Sequence, residues 1–170
     1  MSKIIVLDTS FLLELFQVPV DSDPKLHAPA LELMREAIEG AYDVYCTVGV
    51  LYEMANHIVD IKNPAAQKGI AQQFKEMVEM SWVDGTPFTI IPGASSSELV
   101  LELSKLPDLC VTYQESIRQR LSLVDCVIID LAKRLRESYR SRQKNWPAHI
   151  WSRHGSLKAL EPDKFEHLYF

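Results

Sequence analysis

The chain has few cysteines, no long apolar run and none of the glycine-rich phosphate loops. Its three cysteines, Cys46, Cys110 and Cys126, are odd in number and widely spaced. None belongs to a C-x-x-C pair, so zinc and dithiol redox chemistry have no support. Cys46 and Cys126 stand in apolar runs (VYCTVGV and LVDCVII) and read as small core residues, which fits a reducing compartment. No stretch approaches the ~18 consecutive apolar residues of a membrane helix. Only Ile4 to Leu7 separate Lys3 from Asp8, too short for the apolar region of a signal peptide. The expectation is a soluble, cytoplasmic protein with no membrane partner. A G-x-x-x-x-G-K-[ST] loop is absent, as is G-x-G-x-x-G after the first strand, which argues against P-loop and dinucleotide chemistry. Ser10 lacks the G-x-S-x-G context of a hydrolase nucleophile. A phosphatase with D-x-D after its first strand would need an acid where Ser10 stands.

What is present is an ordinary apolar fraction of 47% in 170 residues, enough for one domain spanning 1–170. KIIVL at 3–7 is short, apolar and β-branched, and predicts a strand buried on both faces. Thr9-Ser10 is placed to cap a short helix through FLLELF. Leu31, Met34, Ala37 and Ile38 recur at helical spacing until Gly40. Residues 42–47 alternate as a second strand, and Thr47 opens a helix through VGVLYEMANHIV. Asn63-Pro64 starts a longer helix to about Val83, with Phe74, Met77, Val78 and Trp82 on one side. Residues 88–91 predict a third strand. Ser95-x-x-Glu98 reads as a capping box, and Pro107 as the end of that helix. Helical pattern returns near Glu115. Ser122-x-x-Asp125 opens the clearest helix, with a Val124, Val127, Ile128, Leu131 and Leu135 stripe. A last strand is expected near His149 to Trp151. Strands separated by helices imply α/β architecture: a three-layer α/β/α sandwich around a mostly parallel sheet.

Three acids stand out against apolar neighbours. Asp8 ends the first strand, where ligands bind in open parallel sheets. Its plainer reading is a helix cap. Glu53 lies in an otherwise nearly apolar helix, too far in to cap it. Its plainer reading is an exposed helix position. Asp125 satisfies the capping-box pattern by itself, and the same geometry sets a carboxylate beside the carboxyl ends of the strands. Asp130, five residues on, should point elsewhere and lie at the surface. Three converging carboxylates repel one another unless a cation joins them. Oxygen ligands in that number suit Mg²⁺ or Mn²⁺.

Charge is distributed unevenly. The net charge is −5, yet residues 116–158 hold ten bases against three acids, a net of +7. Such a stretch is a candidate phosphate-binding face, although a solvated helix face is the commoner outcome. A divalent ion near a phosphate-binding face points to phosphodiester hydrolysis.

The order and context of these residues (IIVLDTS, then VLYEMANHI, then LSLVDCVIIDLAKRL) resemble PIN-domain nucleases, from Ile4 to about Leu160. The resemblance implies Mg²⁺- or Mn²⁺-dependent cleavage of RNA, usually single-stranded. It assigns Asp8, Glu53 and Asp125 to the metal and to catalysis, and Ser10 to a small polar position assisting the site. Arg118, Arg120 and Arg153 would then hold RNA. Many prokaryotic members are VapC-like toxins, which implies an antitoxin protein and a homodimer as candidate partners.

Two departures qualify the resemblance. The pattern usually ends with a strand and Thr-x-Asp; here Ser152 takes the Thr position and His154 the Asp position. His154 is thus the candidate fourth position, and it brings no negative charge. This motivates the alternative of a degenerate module that binds RNA or a protein without cutting. The second departure is a helical insertion near 62–84, expected to cover a site, join an oligomer or meet a partner.

Overall fold

The structure, a computed structural model, describes residues 2–170. Among these residues four strands form one sheet, all parallel: β1 (Ile4–Leu7), β2 (Asp43–Thr47), β3 (Thr89–Ile91) and β4 (Ala148–Trp151). Their spatial order is β3-β2-β1-β4. β1 is flanked on both sides, with Leu7 paired to Cys46 of β2 and to Trp151 of β4. All four of its side chains are fully buried, which is why an unbroken apolar run suits it.

Among the described residues seven α-helices accompany the sheet: α1 (Thr9–Leu15), α2 (His27–Glu39), α3 (Val48–Val59), α4 (Pro64–Asp84), α5 (Ser96–Ser116), α6 (Leu123–Ser141) and α7 (Gly155–Lys158). α6 lies against β1 and β4 and carries α5. α1 packs with α2 and α3, and α3 with α4; α3 also meets β2 and α4 meets β3. The result is the expected three-layer α/β/α sandwich. Its core includes a cluster in which Phe11 lies 5.0 Å from both Trp151 and Phe170, ring centre to ring centre. Burying each such side chain contributes roughly 1.5–3 kcal/mol.

Local chemistry sets the helix ends. The cap of α1 is Asp8 rather than Thr9 or Ser10, because its carboxylate accepts the backbone N–H groups of Thr9 and Ser10. Asn63 caps α4, and Gly85, at φ +66, closes it in the left-handed conformation that suits glycine. The capping box expected at Ser95 does not form. Ser95 turns its hydroxyl to Ser97, and Glu98 accepts from the Gly93 N–H instead. At α6 the box is complete, with Ser122 and Asp125 each accepting the other's backbone N–H.

Pro107 does not end its helix; α5 runs through it to Ser116. An interior proline costs about 3 kcal/mol. Here the half before it is fastened to α6 and the half after it buries Leu109. Before the proline, Glu102 pairs with Arg134 and Lys105 with Asp130. The turn around Pro107 is largely exposed, so water can satisfy the released carbonyl. Asp130 is accordingly half-buried between Lys105 and Arg134, not a free surface acid. The stripe on α4 also needs correction. Phe74, Met77 and Val78 pack on the core, whereas Trp82 is 58% exposed.

No helix among the described residues is long and apolar enough to cross a membrane.

Candidate functional site

The chain lays β2 and then β3 on one side of β1, and returns to lay β4 on the other. Strand order therefore reverses at β1, and a crevice forms beyond the carboxyl ends of β1 and β4. Asp8 follows β1 and Ser152 follows β4, so both stand at this crevice. A cleft of about 390 Å³ lies there, lined by Asp8, Thr9, Ser10, Leu13, Glu53, Asn56, His57, Ser122, Asp125 and His154. The sequence-predicted Asp8, Ser10, Glu53, Asp125 and His154 are thus brought together.

Each carboxylate is held by short-range donors. Asp8 Oδ1 accepts the Thr9 N–H at 2.7 Å. Its Oδ2 accepts the Ser10 N–H at 3.3 Å, the Ser10 hydroxyl at 2.5 Å and the Ser152 hydroxyl at 2.7 Å. Ser10 Oγ in turn accepts the Arg153 N–H at 2.9 Å, and Ser152 Oγ the His154 N–H at 2.8 Å. Glu53 Oε2 accepts the Thr9 hydroxyl at 2.6 Å. Asp125 Oδ2 accepts the Ser122 N–H at 2.7 Å and stands 3.7 Å from His154 Nδ1. A carboxylate has about four acceptor directions. After these bonds Asp8 Oδ1 keeps one, and Glu53 Oε1 and Asp125 Oδ1 keep theirs.

Helix packing explains the convergence. α3 and α6 start close together, where a Cβ on Gly49 would lie 3.1 Å from a Val124 methyl. A side chain at 49 would require the Val124 methyl to give way by a few tenths of an ångström.

Burial, chiefly, raises the Glu53 carboxyl above the usual range, and the negative charges of Asp8 and Asp125 add to it. The Thr9 hydrogen bond opposes the shift. Asp125 is likewise raised, first by burial and then by Asp8, against the Ser122 N–H and His154. No lysine or arginine lines the cleft. Such shifted groups in a cleft mark a candidate site on physical grounds.

The free oxygens form a hard, anionic donor set that suits Mg²⁺ or Mn²⁺ in kind. Their placement is looser than a finished coordination shell. Among the described residues no group of three His, Cys, Asp or Glu side chains is arranged to hold an ion.

The basic stretch behaves differently from its local sum. Arg134 pairs with Glu102 and Asp130, Arg136 with Asp163, Arg153 with Glu14 and Lys158 with Glu161. Acids from elsewhere in the chain thus neutralise much of the +7. Arg153, expected to hold RNA, turns inward: its guanidinium lies 2.5 Å from the fully buried Glu14. Arg118 lies in a short 3-10 turn (Ile117–Gln119) and Arg120 just after it; both are exposed and outside the cleft lining. Neither forms an ion pair among the described residues, so both keep charge for a ligand. No residue of α4 lines the cleft either.

Sequence reasoning missed His57 and its partner Asp21, which meet at 2.8 Å. A partial signal was available, since Glu53 and His57 are four residues apart on one helix face. Asp21, in a loop, carried none. No protein-family model matches the chain, and no curated protein matches it.

Proposed function

We propose that this protein is a divalent-cation-dependent phosphodiester hydrolase that cuts single-stranded RNA, in line with the resemblance to PIN-domain nucleases. One observation carries the reading: Asp8, Glu53 and Asp125, from three separate elements, face a single cleft at the strand-order reversal with no lysine or arginine among them. Carboxylates gathered in this way are costly without a cation.

Asp8 Oδ1, Glu53 Oε1 and Asp125 Oδ1 are the oxygens that would hold Mg²⁺ or Mn²⁺. The bound ion would supply water activation and charge neutralisation at the phosphate. The chain's own groups orient the donors. Ser10 and Ser152 fix Asp8, Thr9 fixes Glu53, and Ser122 fixes Asp125. Ser10 acts here as a link, donating to Asp8 while accepting from the Arg153 N–H. Arg118 and Arg120, exposed and in no ion pair among the described residues, are the bases assigned to a nucleic-acid backbone. Three free thiols, two of them buried, fit a reducing cytoplasm.

The test is cleavage of single-stranded RNA in Mg²⁺ or Mn²⁺ by the wild type and Asp8→Asn, with titration of Mn²⁺ followed by calorimetry. Metal-dependent cleavage lost by at least ~100-fold in Asp8→Asn is expected. Undiminished cleavage in a clean Asp8→Asn preparation would sink the proposal.

A second reading has its own observation. His154 stands where a fourth acid would be expected, 3.7 Å from Asp125, and the acids are not drawn into a coordination group. The protein would then bind RNA or a protein without cutting. Gain of cleavage in His154→Asp, over an inactive wild type, supports this reading. Full turnover by the wild type excludes it.

A further inference from the structure

The cleft that carries the hydrolase reading also contains a proton-donor arrangement, and the following rests on that reading. We propose that His57, oriented by Asp21, is a catalytic residue that protonates the leaving oxygen of the phosphodiester. His57 lies one helical turn after Glu53 on α3, and its ring lines the cleft. Its Nδ1 is 2.8 Å from Asp21 Oδ2, and Nε2 has no hydrogen-bond partner among the described residues. With Nδ1–H held by the carboxylate, the ring takes a second proton at Nε2, and this imidazolium Nε2–H is the transferable one.

The partner is itself built in from both sides. Arg153 Nη2 donates to the Asp21 carbonyl at 3.1 Å, while Nη1 of the same guanidinium lies 2.5 Å from Glu14 Oε1. Glu14, fully buried, also accepts the Asp23 N–H at 3.0 Å. α1, the Asp21 loop, α3 and the segment after β4 are thereby tied together behind His57.

Elimination narrows the choice of donor. The cleft lining holds carboxylates, hydroxyls, an amide and two imidazoles, but no lysine, arginine or tyrosine. Of the two imidazoles, His154 faces Asp125 at 3.7 Å, a looser pairing than the 2.8 Å bond that holds His57. In the step, a water oxygen bonds to phosphorus as the bond from phosphorus to the leaving sugar oxygen breaks. The bonding pair goes to that sugar oxygen, which takes the proton from Nε2 and departs as a hydroxyl. The attacking water gives one proton to solvent, and the imidazole regains one from solvent.

The experiment uses the full chain with Mn²⁺ and two single-stranded RNA oligonucleotides. They are identical except that in one the leaving bridging oxygen, located by product analysis, is sulfur. A thiolate leaves without a proton. His57→Ala should slow cleavage of the all-oxygen strand by about 100-fold or more, the usual weight of a proton donor. The loss on the sulfur strand should be far smaller. Asp21→Asn, as a positioning variant, should show the same asymmetry at reduced size, and His57→Gln replaces His57→Ala if the latter unfolds. Equal losses on both strands overturn the proton-donor role, as does an asymmetry that appears in His154→Asn and not in the His57 variants. Wild type that cuts neither strand overturns the hydrolase reading itself.

Discussion

Replacing Glu53 with glutamine should make the metal-free protein more stable and its response to Mn²⁺ weaker. Glu53 is half-buried and faces Asp8 and Asp125 across the cleft. Glutamine keeps an acceptor for the Thr9 hydroxyl and removes only the charge. Like charges facing one another across a partly solvated cleft repel by roughly 1 kcal/mol, between the limits set by water and by a protein interior. Glu53 is partly screened by solvent, so a net gain of about 1 kcal/mol is expected. For a chain of this length that is roughly 2–4 °C in melting temperature.

The pH dependence has a definite sign. Burial and repulsion raise the Glu53 and Asp125 carboxyls in the folded state. The native protein therefore binds more protons than the unfolded chain between the ordinary carboxyl range near ~4 and the raised values. Stability conferred by this pair falls as pH rises through that window, and Glu53→Gln flattens the fall. A bound ion reverses the balance. At 100 times its dissociation constant it stabilises the wild type by about 2.7 kcal/mol, and the variant, with one oxygen ligand weakened, by less. Thermal melts of both proteins, with and without MnCl₂, read all three effects. A metal-free variant that melts below wild type, or an Mn²⁺ shift identical in the two, refutes the reasoning.

Two further predictions concern the arginines. Arg153→Ala leaves Glu14 buried without its cation and should cost about 3 kcal/mol in urea unfolding. A loss under ~0.5 kcal/mol would mean that the Asp23 N–H alone satisfies Glu14. Arg118→Ala and Arg120→Ala should each lower the slope of log affinity against log salt for single-stranded RNA by about 0.7, measured by anisotropy titration. Unchanged slopes would remove both residues from the RNA-binding face.

The legible parts of this protein are those decided locally. β1 shows in four consecutive apolar residues, and α6 in its stripe and its cap. Asp8, Glu53 and Asp125 show because each interrupts an apolar run. What escaped is decided by distant partners. Pro107 reads as a stop, yet Glu102, Lys105 and Leu109 fasten the helix on both sides of it. The +7 stretch reads as a field, yet Glu14, Glu102, Glu161 and Asp163 reach it from outside. Asp21 and His57 are 36 residues apart, and nothing in either neighbourhood announces the other.

For Asp8 and Asp125 the sequence posed a choice between helix cap and functional acid. In the structure each carboxylate caps a helix start and also lines the cleft, so the two readings are compatible. Capping offsets part of the cost of charge there, since N–H donors and the positive end of the helix favour an anion. Glu53 has no such support. It lies in the second turn of α3, with one hydroxyl as its donor. The three acids are therefore unequal: neutralising Asp8 or Asp125 disturbs a cap along with a charge, while neutralising Glu53 removes a charge alone. Glu53→Gln is for that reason the substitution in which relief of repulsion can be read without a folding penalty to obscure it.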